Sequence, residues 1–231
     1  MRRDAKPKPP LAAVFAALHR RWGPQRWWPA RTRFEMICGA ILTQNTAWTN
    51  VERALANLRD ARALFPAAQH ALSLRELAAL VRPAGTFRIK ARRLRAFTTW
   101  LMKRHGGSLD VMFREDTDAL RRDLLAVHGI GPETADCILL YAGRRPVFVV
   151  DAYTRRILHR HGWGADGDGY DAIAALFRDG IAAAYPPRRH AKIFNEYHAL
   201  IVRAAKDHCR SRPVCAGCPL RDWLPAGGPL E

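Results

Sequence analysis

The chain has 231 residues, and 38 Lys and Arg against 21 Asp and Glu give it a formal net charge of +17. Its 48% apolar residues can bury a core of ordinary size, which excludes a disordered chain or a mini-protein, and no run nears the ~18 apolar residues of a membrane-spanning helix. The charge excess points to a polyanionic partner, because clustered Lys and Arg displace counterions from a phosphate backbone.

In chain order, Met1 to Pro10 is rich in Lys, Arg and Pro, and Leu11 to Leu18 is apolar throughout. The pair superficially mimics an export signal. His19, Arg20, Arg21 and Trp22 follow without a small-residue cleavage site, so the expectation is a flexible arm leading into a short buried helix. Apolar spacing of three and four then recurs at Phe34, Ile37, Cys38, Ile41 and Leu42, and again at Val51, Ala54, Leu55 and Leu58. Further helices are predicted over Arg75 to Val81, Lys90 to Arg104, Asp118 to Val127, Glu133 to Tyr141, Ala152 to His161, Tyr170 to Ala184 and His190 to Lys206. The fold class is all-α. Pro146 to Val150 is the one strand-like run, and it reads as a buried extended connector. Gly and Pro punctuation at Pro66, Pro83 to Gly85, Gly106-Gly107, Gly129 to Pro132, Gly162 to Gly169 and Pro186-Pro187 suits helix-to-helix connections. Between Leu77 and Leu109 there is no acidic residue, while Arg82, Arg88, Lys90, Arg92, Arg93, Arg95, Lys103 and Arg104 all fall there. That stretch is either a phosphate-facing surface or a solvated helix face. Five cysteines, three of them near the end, do not form a disulfide framework and suit a reducing cytoplasm.

The most informative segment is Leu124 to Asp136, where an apolar helix end meets His128-Gly129-Ile130-Gly131-Pro132-Glu133-Thr134-Ala135-Asp136. Gly129 and Gly131 allow a tight turn with positive φ, Ile130 plugs the space between two helices, and Pro132 suits the first position of the second. Such a hairpin presents free backbone N–H groups and a positive helix end to a phosphate, independent of base sequence. Val147-Phe148-Val149-Val150-Asp151 then ends an apolar run with a carboxylate at the start of the next helix. Asp151 is suited to be an N-cap, and a carboxylate at the edge of an apolar wall can also stabilise positive charge or orient a water.

This hairpin, the Gly/Pro-rich loop and Asp151 together resemble the helix-hairpin-helix signature of the endonuclease III superfamily of DNA glycosylases. Phe34 to Thr46, with its Leu42-Thr43-Gln44-Asn45-Thr46 end, is similar to that family's early helix and loop. The resemblance implies a two-lobed all-α fold, with a six-helix lobe over residues 25–145 and a second lobe formed by both termini, residues 1–24 and 146–231. It also implies that double-stranded DNA carrying a damaged base lies across the cleft between the lobes, the target nucleotide being flipped out because its glycosidic bond is unreachable in a stacked duplex. Asp151 would then be the essential carboxylate. Gly129 and Gly131, with His128, Ile130 and Thr134, would form the phosphate-binding hairpin, and Gln44 would fill the vacated stack or be an ordinary polar residue at a helix end. A monomer in the cytoplasm, at the nucleoid, with no membrane partner, is the matching expectation.

Bifunctional members that this chain resembles carry, in the helix after the hairpin, a Lys that attacks the sugar; here that position is Glu133. A carboxylate forms no imine, so the usual lyase route is lost there, and Lys90 or Lys192 is the other amine that could enter the cleft. Trp28-Pro29, Phe34 to Thr46, Arg82-Pro83-Ala84-Gly85 and Glu133 look most like the 3-methyladenine glycosylase branch, which acts on alkylated purines. A cationic purine stacks on electron-rich rings, and Trp27, Trp28 and Trp48 are the candidate rings or are simple core. The alternatives are a bifunctional glycosylase/AP lyase on oxidised pyrimidines and a non-catalytic protein that binds DNA structure.

Cys209, Cys215 and Cys218 precede Pro219-Leu220 and resemble the superfamily's iron–sulfur loop, which implies a [4Fe-4S] cluster. Leu224 stands at the spacing of the fourth Cys, so an all-cysteine site cannot form. Asp222, His208 or solvent is left as the fourth ligand, zinc is the competing metal, and a metal-free loop is the remaining reading. Cys38 and Cys137 fall on apolar helix faces as small core residues.

Overall fold

The computed structural model describes residues 9–25, 27, 30–164 and 167–231. The basic arm over residues 1–8, Trp28 and Pro29 lie outside the described residues. The chain is helical, with no strand among the described residues. In order the helices are α1 (Leu11–Trp22), α2 (Arg33–Leu42), α3 (Trp48–Asp60), α4 (Pro66–Ala71), α5 (Leu74–Leu80) and α6 (Phe87–His105). They continue as α7 (Leu109–Met112), α8 (Thr117–Ala126), α9 (Pro132–Cys137), α10 (Ala152–Arg160), α11 (Tyr170–Ala182) and α12 (His190–Asp207). Two compact units result, one of residues 28–145 and one of residues 1–27 with 146–231.

In the first unit, α2 is buried along almost its whole length because small and branched residues leave it no polar face. Its buried exception, Glu35, is paired with Arg59 at 2.5 Å. Thr32 caps the helix by accepting from Glu35 N at 3.1 Å. Ser73 and Glu76 close a reciprocal capping box on α5. The long α6 packs against α2, α4, α5 and α7 and puts Leu94, Phe97 and Leu101 into the core. Two short helices, α4 and α7, interrupt what the sequence reads as loop, since each is too short to show a period. The expected helix at Glu133 to Tyr141 begins as α9 and widens into a π-helical turn over Ile138–Ala142, closed by Gly143 N donating to Ile138 O at 3.1 Å. α2 packs on this wide turn.

In the second unit, α1 lies on α11 and α12, and α10 packs on α12. The extended connector is buried, Val147 to Val150 being at most 6% exposed. Phe148 stacks on Phe177 with centroids 4.0 Å apart and meets Phe194 and Tyr197 edge-on. This aromatic core fixes the end of the connector, and with it the start of α10.

Candidate functional site

The hairpin lies in the first unit. α8 delivers Leu120 and Leu124 to the core, the chain turns at Val127 to Gly131, and α9 leaves in a new direction. Ile130, 4% exposed, fills the space under the turn as its sequence position predicts. Gly129 has φ +82°, and a Cβ there would lie 2.3 Å from Arg93 Cγ, so both its conformation and its close approach require glycine. Gly131 corrects the expectation: its φ is −93° with ψ 179°, ordinary extended backbone, and a Cβ there would meet nothing within 4 Å. Neither glycine's N–H donates to another backbone group among the described residues. Arg121 on α8 grips Asp136 on α9 through two bonds of 2.7 and 3.2 Å, holding the two helices together. That bidentate pair is hidden from sequence reading by its separation along the chain.

Gln44 sits beside this turn in the loop after α2. Its amide donates to Gly129 O at 3.1 Å and to Thr134 Oγ1 at 2.9 Å, and its carbonyl accepts from Arg93. Thr134 is buried while His128 and Glu133 are exposed. Trp48 opens α3 and is half-buried. The basic stretch divides: Arg82, Arg88, Arg92, Lys103 and Arg104 are exposed, but Arg93 is tied to Gln44 and Arg95 to Leu72 O. Lys90 departs from both roles offered for it. It is 1% exposed and donates to Ala84 O at 2.6 Å, binding α6 to the Arg82–Ala84 turn, and burial followed by the neighbouring Arg93 lowers its pKa.

In the second unit, Asp151 caps α10. Its Oδ1 accepts from Thr154 N at 2.7 Å and from Thr154 Oγ1 at 2.9 Å. Its Oδ2 lies 3.4 Å from His198 Nε2 on α12. Burial pushes the carboxyl upward, but the charge and bonding of His198 with the Thr154 bonds outweigh it, leaving the group below its usual range and ionised. The edge of Trp27 meets the His198 ring at 6.4 Å, so Trp27, His198 and Asp151 form a continuous row. Trp27 Nε1 is buried without a hydrogen-bond partner among the described residues. Sequence reading missed His198, whose only signal is a polar residue on the buried face of α12. Lys192 is exposed on the same helix.

The profile of the HhH-GPD superfamily of base excision DNA repair proteins matches residues 38–183, the span that holds the hairpin, the connector and Asp151. The chain belongs to that superfamily. A relative in Methanocaldococcus jannaschii, MJ1434, provisionally named a DNA repair glycosylase, is 40% identical over 211 residues, 91% of this chain and 93% of its own length. Endonuclease III of Sulfolobus acidocaldarius is 28% identical over 84% of this chain and 82% of its own. Among solved structures, Helicobacter pylori 3-methyladenine DNA glycosylase bound to 1,N6-ethenoadenine superimposes with a TM-score of 0.75 at 30% identity, covering 85% of this chain and 97% of that one. A non-covalent endonuclease III–DNA complex shares the fold with a TM-score of 0.76 at 20% identity, over 95% and 96% of the two chains.

The C-terminal loop does not fit the cluster that the superfamily resemblance implies. Cys209, Cys215 and Cys218 line one pocket with Arg160, His161, His208 and Leu224, so three thiols share it and Leu224 stands where a fourth cysteine would be. Asp222 does not line that pocket. Among the described residues no group of three or more His, Cys, Asp or Glu is arranged to hold a metal. Burial pushes the Cys218 thiol up, and the neighbouring Cys215 and Cys209 add to the rise. Cys38 and Cys137 are buried core residues, and burial drives the Cys38 thiol to about 12.

Proposed function

We propose that the protein is a monofunctional DNA glycosylase that removes alkylated purines such as 3-methyladenine from double-stranded DNA, acting as a monomer at the nucleoid. The hairpin unit grips the sugar-phosphate backbone through the N–H groups of Gly129 and Gly131, and the unit formed by both termini carries the acid. Once the nucleotide is everted, its C1′–N9 bond breaks and the bonding electrons leave with the purine. An N3-alkylated adenine is already cationic, so it departs neutral and needs no proton from the enzyme. The ionised Asp151 stabilises the oxocarbenium-like sugar and takes a proton from the water that attacks C1′. Thr154 fixes one carboxylate oxygen and His198 faces the other, so the charge is pre-oriented before the reaction. Trp27, beside His198, and Trp48 are suited to stack on a cationic base.

The observation that carries the monofunctional reading is Glu133, an exposed carboxylate where bifunctional relatives place an imine-forming amine. The 30% identity with a 3-methyladenine glycosylase supports the substrate class. The test is a panel of duplexes, each with one defined lesion, scored before and after alkali. Free 3-methyladenine with strand breakage only after alkali is the expected result. Strand scission without alkali, or no base release from any alkylated purine, overturns it.

A further inference from the structure

We propose that the last turn of α10, through Arg160, does the structural work that an iron–sulfur cluster does elsewhere in the superfamily, so that the C-terminal cysteine loop folds without metal. The segment after α12 runs to Glu231 with a single 3-10 turn, Arg221–Trp223, as its only helical element. It buries one large apolar side chain, Leu220 at 1% exposure, so packing alone gives it little to order around. What it has instead is a set of bonds converging on three consecutive residues.

The planar guanidinium of Arg160 spans the start of the loop. Its Nη1 donates to Cys209 Sγ at 3.3 Å and to Arg210 O, and its Nη2 donates to Ser211 O at 2.9 Å. The fork geometry of Arg matches this divided set of acceptors, which a lysine ammonium cannot reach together. The Arg160 carbonyl accepts from Leu230 N at 3.0 Å. On one side, His159 Nε2 lies 2.6 Å from Glu231 O; on the other, His161 Nε2 lies 3.3 Å from Leu220 O. The start, middle and end of the segment are therefore each anchored to the same turn. A four-iron cluster would cross-link this loop through four thiolates. Here three thiols line the pocket, Leu224 stands at the sequence spacing of a fourth, and a guanidinium already engages the first thiol.

Two measurements test the proposal. Protein purified without oxygen from iron-supplemented cells is expected to carry substoichiometric iron and zinc, and its thermal midpoint is expected to be unchanged by a strong chelator. Replacing the three thiols together, Cys209→Ser with Cys215→Ser and Cys218→Ser, is expected to move the midpoint by less than about 3 °C, whereas Arg160→Ala and Arg160→Lys each lower it by about 4–8 °C. Stoichiometric iron or zinc overturns the proposal, as does a chelator-induced fall in the midpoint, or a triple serine variant destabilised as much as Arg160→Ala. The metal and chelator measurements decide the matter even if an Arg160 variant fails to fold. None of these readings depends on which lesion the enzyme excises.

Discussion

Replacing Asp151 with Asn separates the two tasks assigned to one side chain. As a cap, Asp151 Oδ1 accepts two bonds from Thr154, at 2.7 and 2.9 Å, and an Asn Oδ1 can accept the same two. Asn and Asp cap helices almost equally well, so Asp151→Asn retains the roughly 1 kcal/mol that a capping side chain contributes, while Asp151→Ala loses it. At this chain length 1 kcal/mol corresponds to about 2–4 °C in the thermal midpoint. What Asn removes is the negative charge facing His198 at 3.4 Å and, during reaction, facing the sugar cation. Loss of one pre-oriented electrostatic partner costs about 10²–10³ in turnover. Single-turnover release of 3-methyladenine, thermal melting and binding to a duplex carrying a non-cleavable abasic analogue should be measured on the same preparation. The expected outcome is release slowed at least ~100-fold, melting within about 4 °C of the parent, and DNA affinity equal or slightly higher. An Asn variant within about tenfold of the parent rate would refute the catalytic role. So would activity lost in proportion to folding or DNA affinity, because Asp151 would then be a cap alone.

Borohydride should trap no covalent DNA adduct with the parent enzyme, and Glu133→Lys, which restores an amine at the exposed start of α9, should produce one detectable by gel. Gly129→Ala forces φ +82° on an L residue and drives a Cβ into Arg93, so it should cost about 1–3 kcal/mol in chemical denaturation. Gly131→Ala meets no atom of the protein, so it should melt normally and yet bind DNA about tenfold more weakly, by keeping phosphate from the backbone. The stability of the protein should fall on acidification, because burial lowers the pKa of both His105 and His161 below the usual 6.5. The folded chain then holds fewer protons than the unfolded one, so this support is complete above pH ~6.5 and is lost as pH falls through the folded values, at up to ~1.4 kcal/mol per pH unit for each group. Urea denaturation across that range checks it, and a midpoint that rises on acidification contradicts it.

Most helices are legible in the sequence because their period is long enough to repeat: α2, α3, α6, α8, α10, α11 and α12 each bury a face that spacing alone marks. α4 and α7 are not, since one turn has no period. The cap at Asp151 is visible because an acid directly follows an apolar run and precedes an amphipathic stretch. His198, Arg93 and Arg160 are invisible for the opposite reason: their roles depend on partners far along the chain, and no local pattern separates an Arg that clamps a loop from one that faces water. Lys90 is missed for a different reason: its place in a basic run suggests phosphate, while its amine is spent on Ala84 O, six residues away. Gly131 looks special by residue type alone, but its backbone is ordinary extended chain that any residue adopts.

The wide turn at Ile138–Ala142 holds one residue more than an α-helical turn would, and that surplus turns the side chains next to it by about 100° about the helix axis. Deleting a single codon there would leave the composition almost untouched and yet change which side chains of the turn face α2. Relatives differing by one residue in this stretch should therefore be matched by aligning the bulge itself, not by counting positions from the hairpin to the acid. A one-residue offset there is a change of geometry, and a catalogue built on fixed spacing would mistake it for a missing carboxylate.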